Sequence, residues 1–251
     1  MKISIPSQIK VIIRKGCIVF LWIMVWQCVH SLVGKDILIP SPGATFKKLI
    51  EMMSMGEFYQ DILLTFYRVG VGVILSSILG VISALIAYMI KLVQEILTPF
   101  ITLLKSTPVM AVIILALLWF TKDTVPIFVC FLMCYPVVYT NALKGFNSVD
   151  KELLEMAKVF KIKTFTVICK IYIPQIKPYL EAALEMIVGL SWKVVIAAEV
   201  LAVPKHSMGY NLLSSKSYLE TDSLFSWVIV IVVLSTLCEK GVNRMFKSSK
   251  R

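Results

Sequence analysis

A series of apolar runs, each close to the length that crosses a lipid bilayer, constrains this chain more than any other feature. About 20 consecutive apolar residues traverse a hydrocarbon core about 30 Å thick, and helices satisfy their own backbone polar groups there. Six runs meet this description, at residues 17–33, 62–90, 97–120, 125–143, 180–202 and 224–238. The sequence therefore predicts an all-α polytopic membrane protein with about six transmembrane helices.

Composition supports the membrane class and argues against other partners. Hydrophobic residues make up 58% of the chain and charged residues only 16%, whereas soluble domains carry about 25% charge. The net charge of +11 would suggest nucleic acid in a soluble protein, but the chain has no nucleic-acid-binding motif. Its six cysteines and two histidines lack metal-ligand spacing. We expect a lipid bilayer as the environment, and no nucleic acid, metal or cofactor.

Basic residues are distributed unevenly between the two predicted sides of the membrane. Seventeen Lys and Arg fall in segments 1–16, 91–96, 144–179 and 239–251, and six fall in the segments of the opposite side. Cytoplasmic loops are enriched in Lys and Arg, so we predict a multi-pass protein of the bacterial cytoplasmic membrane with both termini in the cytoplasm. A signal peptide is the alternative for 17–33, but no small-residue cleavage site follows it.

The predicted external segment 34–61 contains a turn followed by a short amphipathic helix. Ser41 and Pro42 suit the N-cap and first position of such a helix. An apolar stripe follows at helical spacing, formed by Phe46, Leu49, Ile50 and Met53. This pattern favours a helix on the membrane surface or against the rest of the bundle.

The predicted cytoplasmic loop 144–179 interrupts the apolar runs with a lysine-rich stretch. Acidic residues at its start and lysines further on are the order that complements a helix dipole, which predicts a helix over 150–160. Its apolar face would contain Leu153, Leu154, Ala157 and Phe160. A second helical segment, at about 164–171, is predicted to end ahead of Pro174. Such an element is typical of a docking site for another protein, and a solvated loop that only fixes topology is the alternative.

This loop resembles the EAA loop of ABC-transporter inner-membrane permeases, whose pattern is Glu-Ala-Ala, three residues, Gly, nine residues, then Ile-x-Leu-Pro. Four positions match at the expected spacing: Glu155, Ala157, Ile171 and Pro174. Lys161 stands where the pattern has Gly, and we expect it to remove a flexible position and place a cation at the end of the first helix. The resemblance implies a coupling helix in which Glu155 forms a charged contact or a cap and Ala157 allows close approach to an ATPase.

The resemblance extends over about residues 36–240, to the nitrate, sulfonate and taurine branch of these permeases. The segments that carry it are ILIPSP at 37–42, LLTFYRVGVG at 63–72, LKSTPVMA at 104–111, LLWF at 117–120, PVVYTNALKG at 136–145 and VVIAAEV at 194–200. It implies a type I importer permease fold (MetI-like) with its core at 62–240. It also implies a second permease copy, expected to be identical, a dimer of cytoplasmic ATPases and an extracytoplasmic substrate-binding protein.

No ATPase motif of the form G-x-x-x-x-G-K-[ST] occurs in the chain; its Gly34-Lys35 pair is followed by Asp36 and lacks the upstream glycine. We therefore expect a transport subunit that is not itself an enzyme. ATP hydrolysis would occur in a partner subunit.

Charged residues inside the predicted spans are candidates for a translocation pathway, because charge within a membrane is costly and usually faces a cavity or a partner. We single out Lys105, Trp192, Lys193 and Glu199 as residues that line or gate a route for a small, anionic solute. Structural pairing is the alternative for these residues, and snorkelling is the alternative for Arg68. Thr107 and Pro108 predict local unwinding beside Lys105.

Two other function classes are weaker. A self-contained secondary transporter or channel would show inverted repeats and no docking loop, and no clear internal repeat is present. A membrane-embedded enzyme would require convergent His, Asp or Cys at catalytic spacing, which the sequence does not show. Within the leading interpretation, the solute could be nitrate, a sulfonate, taurine or a heterocyclic vitamin precursor.

Overall fold

A computed structural model describes residues 7–248, and every regular element in that range is helical. The helices are α1 (Ser7–Val33), α2 (Pro42–Met53), α3 (Gly56–Met89), α4 (Lys91–Ser106), α5 (Val109–Trp119), α6 (Val125–Asn147), α7 (Lys151–Val159), α8 (Thr164–Val167), α9 (Ile173–Ala202), α10 (Met208–Ser217) and α11 (Thr221–Ser248), with a π turn at Ile168–Tyr172 before α9. The all-α prediction is confirmed. Residues 1–6 and 249–251 of the predicted cytoplasmic termini lie outside the described range.

Four helices of the described residues are long and apolar enough to cross a membrane: α1 from Gly16 onward, α3, α6 and α11. Helices α4 and α5 meet the same criteria only together, and they are bent by 106° at the break between them. The break falls at Thr107–Pro108, where the sequence predicts unwinding, because proline cannot donate a helical hydrogen bond and restricts the residue before it. The single helix predicted over 97–120 is thus two helices.

The directions of α3 and α6 indicate how α4 and α5 connect them. Helix α3 runs parallel to α6, since a methyl group at Gly72 would lie 2.5 Å from Cys130 Sγ and one at Gly80 would lie 2.8 Å from Val138. Because the two helices point in the same direction, the segment of chain that joins them must cross in the opposite direction. The bent pair α4–α5 makes that return and serves as one broken span.

Helix α9 corresponds to the predicted span 180–202 but begins earlier, at Ile173. Its 30 residues extend about 45 Å. It runs antiparallel to α6, since Cys134 Sγ lies 3.9 Å from the Ile187 carbonyl, whereas a methyl group at Gly145 would lie 3.2 Å from Ile176. It is absent from the helices that qualify as apolar spans. The reason is its five charged side chains: Lys177, Glu181, Glu185, Lys193 and Glu199. The predicted count of six includes this charge-bearing helix.

The described residues form two compact units, the first made of residues up to Tyr59 with Asn211–Val230. Within it, Trp26 Nε1 donates to the Pro40 carbonyl at 3.1 Å, and Ser226 Oγ donates to the Thr45 carbonyl at 2.9 Å. Helix α2 begins as predicted, with Ser41 as N-cap and Pro42 in the first turn. Much of its apolar stripe stays exposed, at Phe46, Ile50 and Met53, as expected of a helix on a membrane surface.

The second unit contains Gln60–Tyr210 and the described residues from Ile231. Two apolar clusters lie in it, both built on α6. One contains Ala84, Ala87, Tyr139, Phe146 and Ile176, and Ile171 and Tyr172 pack against it. The other joins α5, α6 and α9 through residues that include Ile113, Val129, Val194 and Ala198. The first cluster anchors the 144–179 loop, and the second fixes the C-terminal half of α9.

Candidate functional site

Helix α7, at Lys151–Val159, realises the helix predicted over 150–160 and is fixed at its start. Asp150 is the N-cap, and its carboxylate accepts a hydrogen bond from the Glu152 amide at 2.8 Å. The Asp150 amide donates to Gln175 Oε1 at 2.9 Å, which ties the start of α7 to the start of α9. An N-cap of this kind contributes about 1 kcal/mol to the helix. The 144–179 loop is therefore an ordered helical element.

The end of α7 explains the position of Lys161. The Ile162 amide donates to the Ala157 carbonyl at 2.9 Å, and the Lys161 amide donates to the Lys158 carbonyl at 3.1 Å. These two bonds form a Schellman motif, whose C′ residue adopts the left-handed conformation. Lys161 has φ 50° accordingly. Glycine suits this position because it has no Cβ, so Lys161 keeps the backbone turn and carries strain instead of abolishing the turn.

The predicted helix end ahead of Pro174 is wrong. Helix α8 covers only Thr164–Val167, and the π turn at Ile168–Tyr172 then leads directly into α9. The Ile173 amide donates to the Ile168 carbonyl, five residues back, and Pro174 occupies the first turn of α9. A π turn shifts the hydrogen-bond register, and proline is tolerated where a helical register begins because no donor is required there. Pro178 lies inside α9.

The motif residues of this loop point in different directions. Glu155 is exposed, whereas Ala157 is buried and Ile171 half-buried within the chain itself. The predicted apolar face of α7 is therefore divided, because Ala157 packs inward while Phe160 is 72% exposed. Three further apolar side chains are exposed around it: Met156, Val159 and Phe165. Close approach at Ala157 serves packing within this chain, and the outward face is apolar around Phe160.

Two tyrosines hold the base of the loop against α3. The rings of Tyr88 and Tyr172 meet edge to face with centroids 6.4 Å apart, and Tyr88 also stacks on Phe146 at 5.6 Å. Burial raises the pKa of the Tyr172 hydroxyl to about 12, with a smaller contribution from its hydrogen bond to Tyr88. Tyr172 therefore stays neutral at physiological pH.

A buried charge cluster lies where α3, α9 and the start of α10 meet, and we call it the Glu199 cluster. Glu199 is fully buried. Its carboxylate accepts from Arg68 Nη1 at 2.9 Å and from the Gly209 amide at 3.1 Å. The Thr65 hydroxyl lies 2.9 and 3.0 Å from its two oxygens. A buried carboxylate is tolerated when it is paired and hydrogen-bonded in this way.

Arg68 also extends this cluster toward the surface. Its Nη1 donates to the His206 carbonyl at 3.2 Å, and its Nη2 donates to Asp123 Oδ1 at 3.0 Å. Arg68 is only 4% exposed, so the expectation that its head group snorkels to the interface is wrong. The two acidic partners replace water as acceptors for the guanidinium, which has five N–H donors in a planar fork.

The structure separates the four predicted pathway residues into two pairs. Glu199 belongs to the charge cluster, and Trp192 is buried with its ring 6.1 Å from that of Phe66. Burial and pairing within the chain favour the structural alternative for these two residues, and the pathway role of all four stays a prediction. Lys105 and Lys193 are exposed, and Lys105 Nζ donates to Thr140 Oγ1 at 2.7 Å. Cationic groups on the surface of membrane-crossing helices usually face a cavity or a partner.

Sequence reasoning missed several members of these sites, namely Thr65, Asp123, Gln175 and Gly209. One signal was available: Arg68 and Glu199 are opposite charges inside two different apolar runs, and buried charges are normally paired. Gly209 gave no signal in the sequence, although a methyl group there would lie 2.4 Å from Glu199 Cβ. Within the described residues, no group of three or more His, Cys, Asp or Glu could hold a metal ion.

Comparison with known proteins finds a matching family model and several relatives of this sequence. The family model described as "Binding-protein-dependent transport system inner membrane component" matches residues 76–248. The putative aliphatic sulfonates transport permease protein SsuC of Bacillus subtilis is 27% identical over 223 residues, which cover 88% of this chain and 80% of that protein. The nitrate import permease protein NrtB of Synechococcus elongatus is 27% identical over 192 residues, covering 72% and 68%.

A solved structure shares the fold. A chain of the MetNI methionine ABC transporter, in inward facing conformations, superposes with a TM-score of 0.62 and covers 78% of this chain and 98% of its own length. The two sequences are 13% identical, so this likeness concerns the arrangement of helices alone.

Proposed function

This chain belongs to the family of binding-protein-dependent transport system inner membrane components, and from that premise we propose that it carries a small anionic solute of the sulfonate or nitrate kind into the cell. It is a multi-pass membrane permease subunit of an ATP-binding-cassette importer. Its predicted type I importer permease fold is confirmed by the solved MetNI chain.

The solute class rests on Lys105 and Lys193. The names of two relatives refer to aliphatic sulfonates and to nitrate, which are both small anions, and taurine is itself a sulfonate. The observation that carries the proposal is that Lys193, in the middle of α9, leaves its cationic side chain exposed. A lysine in the low-dielectric centre of a membrane would attract an anion strongly if it faced a solute pathway.

The two lysines also favour a second copy of the chain as the partner permease. Lys105 and Lys193 from each of two identical chains would place four cations around a shared pathway. The charge cluster at Glu199 would lie behind this pathway and hold α3 and α9 together, because its groups already satisfy one another. A pathway between two copies would also remove Lys193 from contact with lipid.

The 144–179 loop is the proposed docking site for the partner ATPase. Its exposed surface is apolar at Val159, Phe160 and Phe165, and Glu155 is exposed on the same helix. An exposed apolar surface of this kind on an ordered helix indicates a protein interface. The excess of basic residues in this loop and at both ends of the chain favours a cytoplasmic location for all three. The solute would reach the opposite side from an extracytoplasmic binding protein.

Uptake measurements test the solute assignment. Uptake of labelled nitrate or sulfonate is measured in cells that express this chain with its ATPase and binding protein. Lys193→Gln should lower this uptake about tenfold, which corresponds to about 1.4 kcal/mol. Lys193→Arg should keep most of the uptake because it keeps the charge. Lys216→Gln, which changes an exposed lysine near the end of α10, is the matched control and should transport normally. Undiminished anion uptake by Lys193→Gln at normal membrane abundance would contradict the proposal.

A further inference from the structure

Two cavities meet at the base of the 144–179 loop, and their linings differ in chemistry. One, of about 640 Å³, has a mixed lining, and we call it the polar cavity because Lys158, Lys161 and Thr164 lie on it among apolar side chains. The other, of about 660 Å³, is mostly apolar, with Lys177 and Glu181 as the charged residues on its lining. Tyr88 and Tyr172 line both cavities. The two cavities are therefore adjacent, with these two tyrosines between them.

Cationic and hydroxyl groups line the polar cavity. Lys158 and Lys161 lie on it with Thr164, and the two shared tyrosines add further polar atoms. Neither lysine forms an ion pair among the described residues. Lysine ammonium and hydroxyl groups are the donors that bind phosphate oxygens. This lining is complementary to an anionic group that carries several acceptor oxygens.

Apolar side chains from four elements line the second cavity. They include Leu85, Met89, Ile168, Ile176, Leu184 and Phe246. The cavity lies along the last turns of membrane-crossing α3 and the first turns of α9. A groove of this kind suits an aliphatic chain, since most of its lining is apolar and the charged Lys177 and Glu181 lie 3.8 Å from each other.

The turn at the end of α7 places Lys161 on the polar cavity. Its φ of 50° is the left-handed conformation of the C′ position in a Schellman motif. This turn brings the lysine side chain to the same cavity as Lys158, which precedes it by three residues.

We propose that these two cavities bind one anionic phospholipid of the cytoplasmic leaflet, with its phosphate beside Lys158 and Lys161 and one acyl chain in the apolar groove. Anionic lipids of that leaflet attract lysines near the membrane surface. The lysines of the phosphate site are exposed and lie on the polar cavity, whereas Val159 and Phe160, which we assign to the ATPase interface, are exposed outside it. Lipid and ATPase would then contact opposite sides of the same helix, so that lipid composition would influence how firmly the loop is held.

Lipid retention by the purified full-length protein tests this proposal without any transport measurement. The protein is placed in bilayer discs of phosphatidylcholine and phosphatidylglycerol with identical acyl chains, transferred to a mild detergent, and its bound lipids are counted by native mass spectrometry. Wild-type protein should retain phosphatidylglycerol selectively. Lys158→Gln with Lys161→Gln should reduce this preference by about 25-fold, or roughly fivefold for each lysine.

Matched variants separate the head-group site from general electrostatics. Lys163→Gln with Lys170→Gln removes two exposed charges from the same loop but not from the polar cavity, and it should change the preference clearly less than the Lys158 and Lys161 pair does. Ile168→Trp should fill the apolar groove from its exposed rim and reduce retention of the lipid. Equal losses in the two lysine pairs, unchanged retention in Ile168→Trp, or displacement of the lipid by inorganic phosphate alone would each overturn the proposal.

Discussion

The Glu199 cluster and the 144–179 loop differ in how completely each satisfies its own groups. In the cluster, a fully buried carboxylate receives hydrogen bonds from Arg68, Thr65 and the Gly209 amide. In the loop, Val159 and Phe165 are each 77% exposed. The cluster is complete within one chain, and the loop presents apolar surface that a partner would cover. If the loop is a docking site, a movement applied to it would reach the rest of the chain only through rigidly packed regions such as the Glu199 cluster.

The largest expected effect is in the cluster. Arg68→Met should lower the free energy of unfolding by about 3–5 kcal/mol, since it leaves Glu199 buried without its cation. Thermal unfolding of the purified protein in detergent measures this loss. Asp123→Asn is the matched control, because Asp123 is 68% exposed and such pairs contribute about 0–1 kcal/mol. Adding Glu199→Gln to Arg68→Met should restore part of the stability. Equal stability of Arg68→Met and wild type would remove the contrast between the two regions.

The next effect concerns the loop and should appear in partner binding instead of folding. Phe160→Ala should weaken co-purification of the ATPase by about 2 kcal/mol, roughly 30-fold in affinity, if Phe160 is a central contact. Glu155→Lys should act in the same direction and abolish transport. Stability should change by less than about 0.5 kcal/mol, as for other surface substitutions. Tyr218→Ala, an equally exposed aromatic directly after α10, should leave ATPase recovery normal. Normal recovery with Phe160→Ala would favour a loop that only fixes topology.

The smallest expected effect is a gain in stability. Lys161→Gly should raise the stability of the folded loop by about 1 kcal/mol, because glycine adopts φ 50° without a steric penalty. Protection of the Ile162 amide from hydrogen exchange reports this change locally, since that amide closes the Schellman motif. Lys163→Gly is the matched control, and it should destabilise the loop because Lys163 has a negative φ of −57°. Reduced protection in Lys161→Gly would show that the lysine side chain stabilises the turn by contacts that outweigh its backbone strain.

Much of the fold follows from patterns that operate over a few residues. The lengths of the apolar runs predict the membrane-crossing helices, Asp150 and the charge order predict α7, and Thr107–Pro108 predicts the break between α4 and α5. Each depends on neighbours in the sequence, such as an N-cap, a dipole or a missing amide donor. The error at Pro174 shows the limit of local rules. Two residues of the π turn before this proline, Ile171 and Tyr172, pack against the cluster around Phe146, and that contact is not visible in the local sequence.

The sequence by itself determined the class of this protein: a helical membrane permease with a basic, helical loop at a definite place between two spans. Tertiary structure alone decided which charges are structural, because Arg68 and Glu199 are 131 residues apart and no local pattern encodes their pairing. It also decided that Ala157 faces inward and Phe160 outward, and that Lys161 occupies a left-handed turn beside a polar cavity. These outcomes depend on which surfaces meet after the helices pack, and periodicity within one helix does not specify its neighbour.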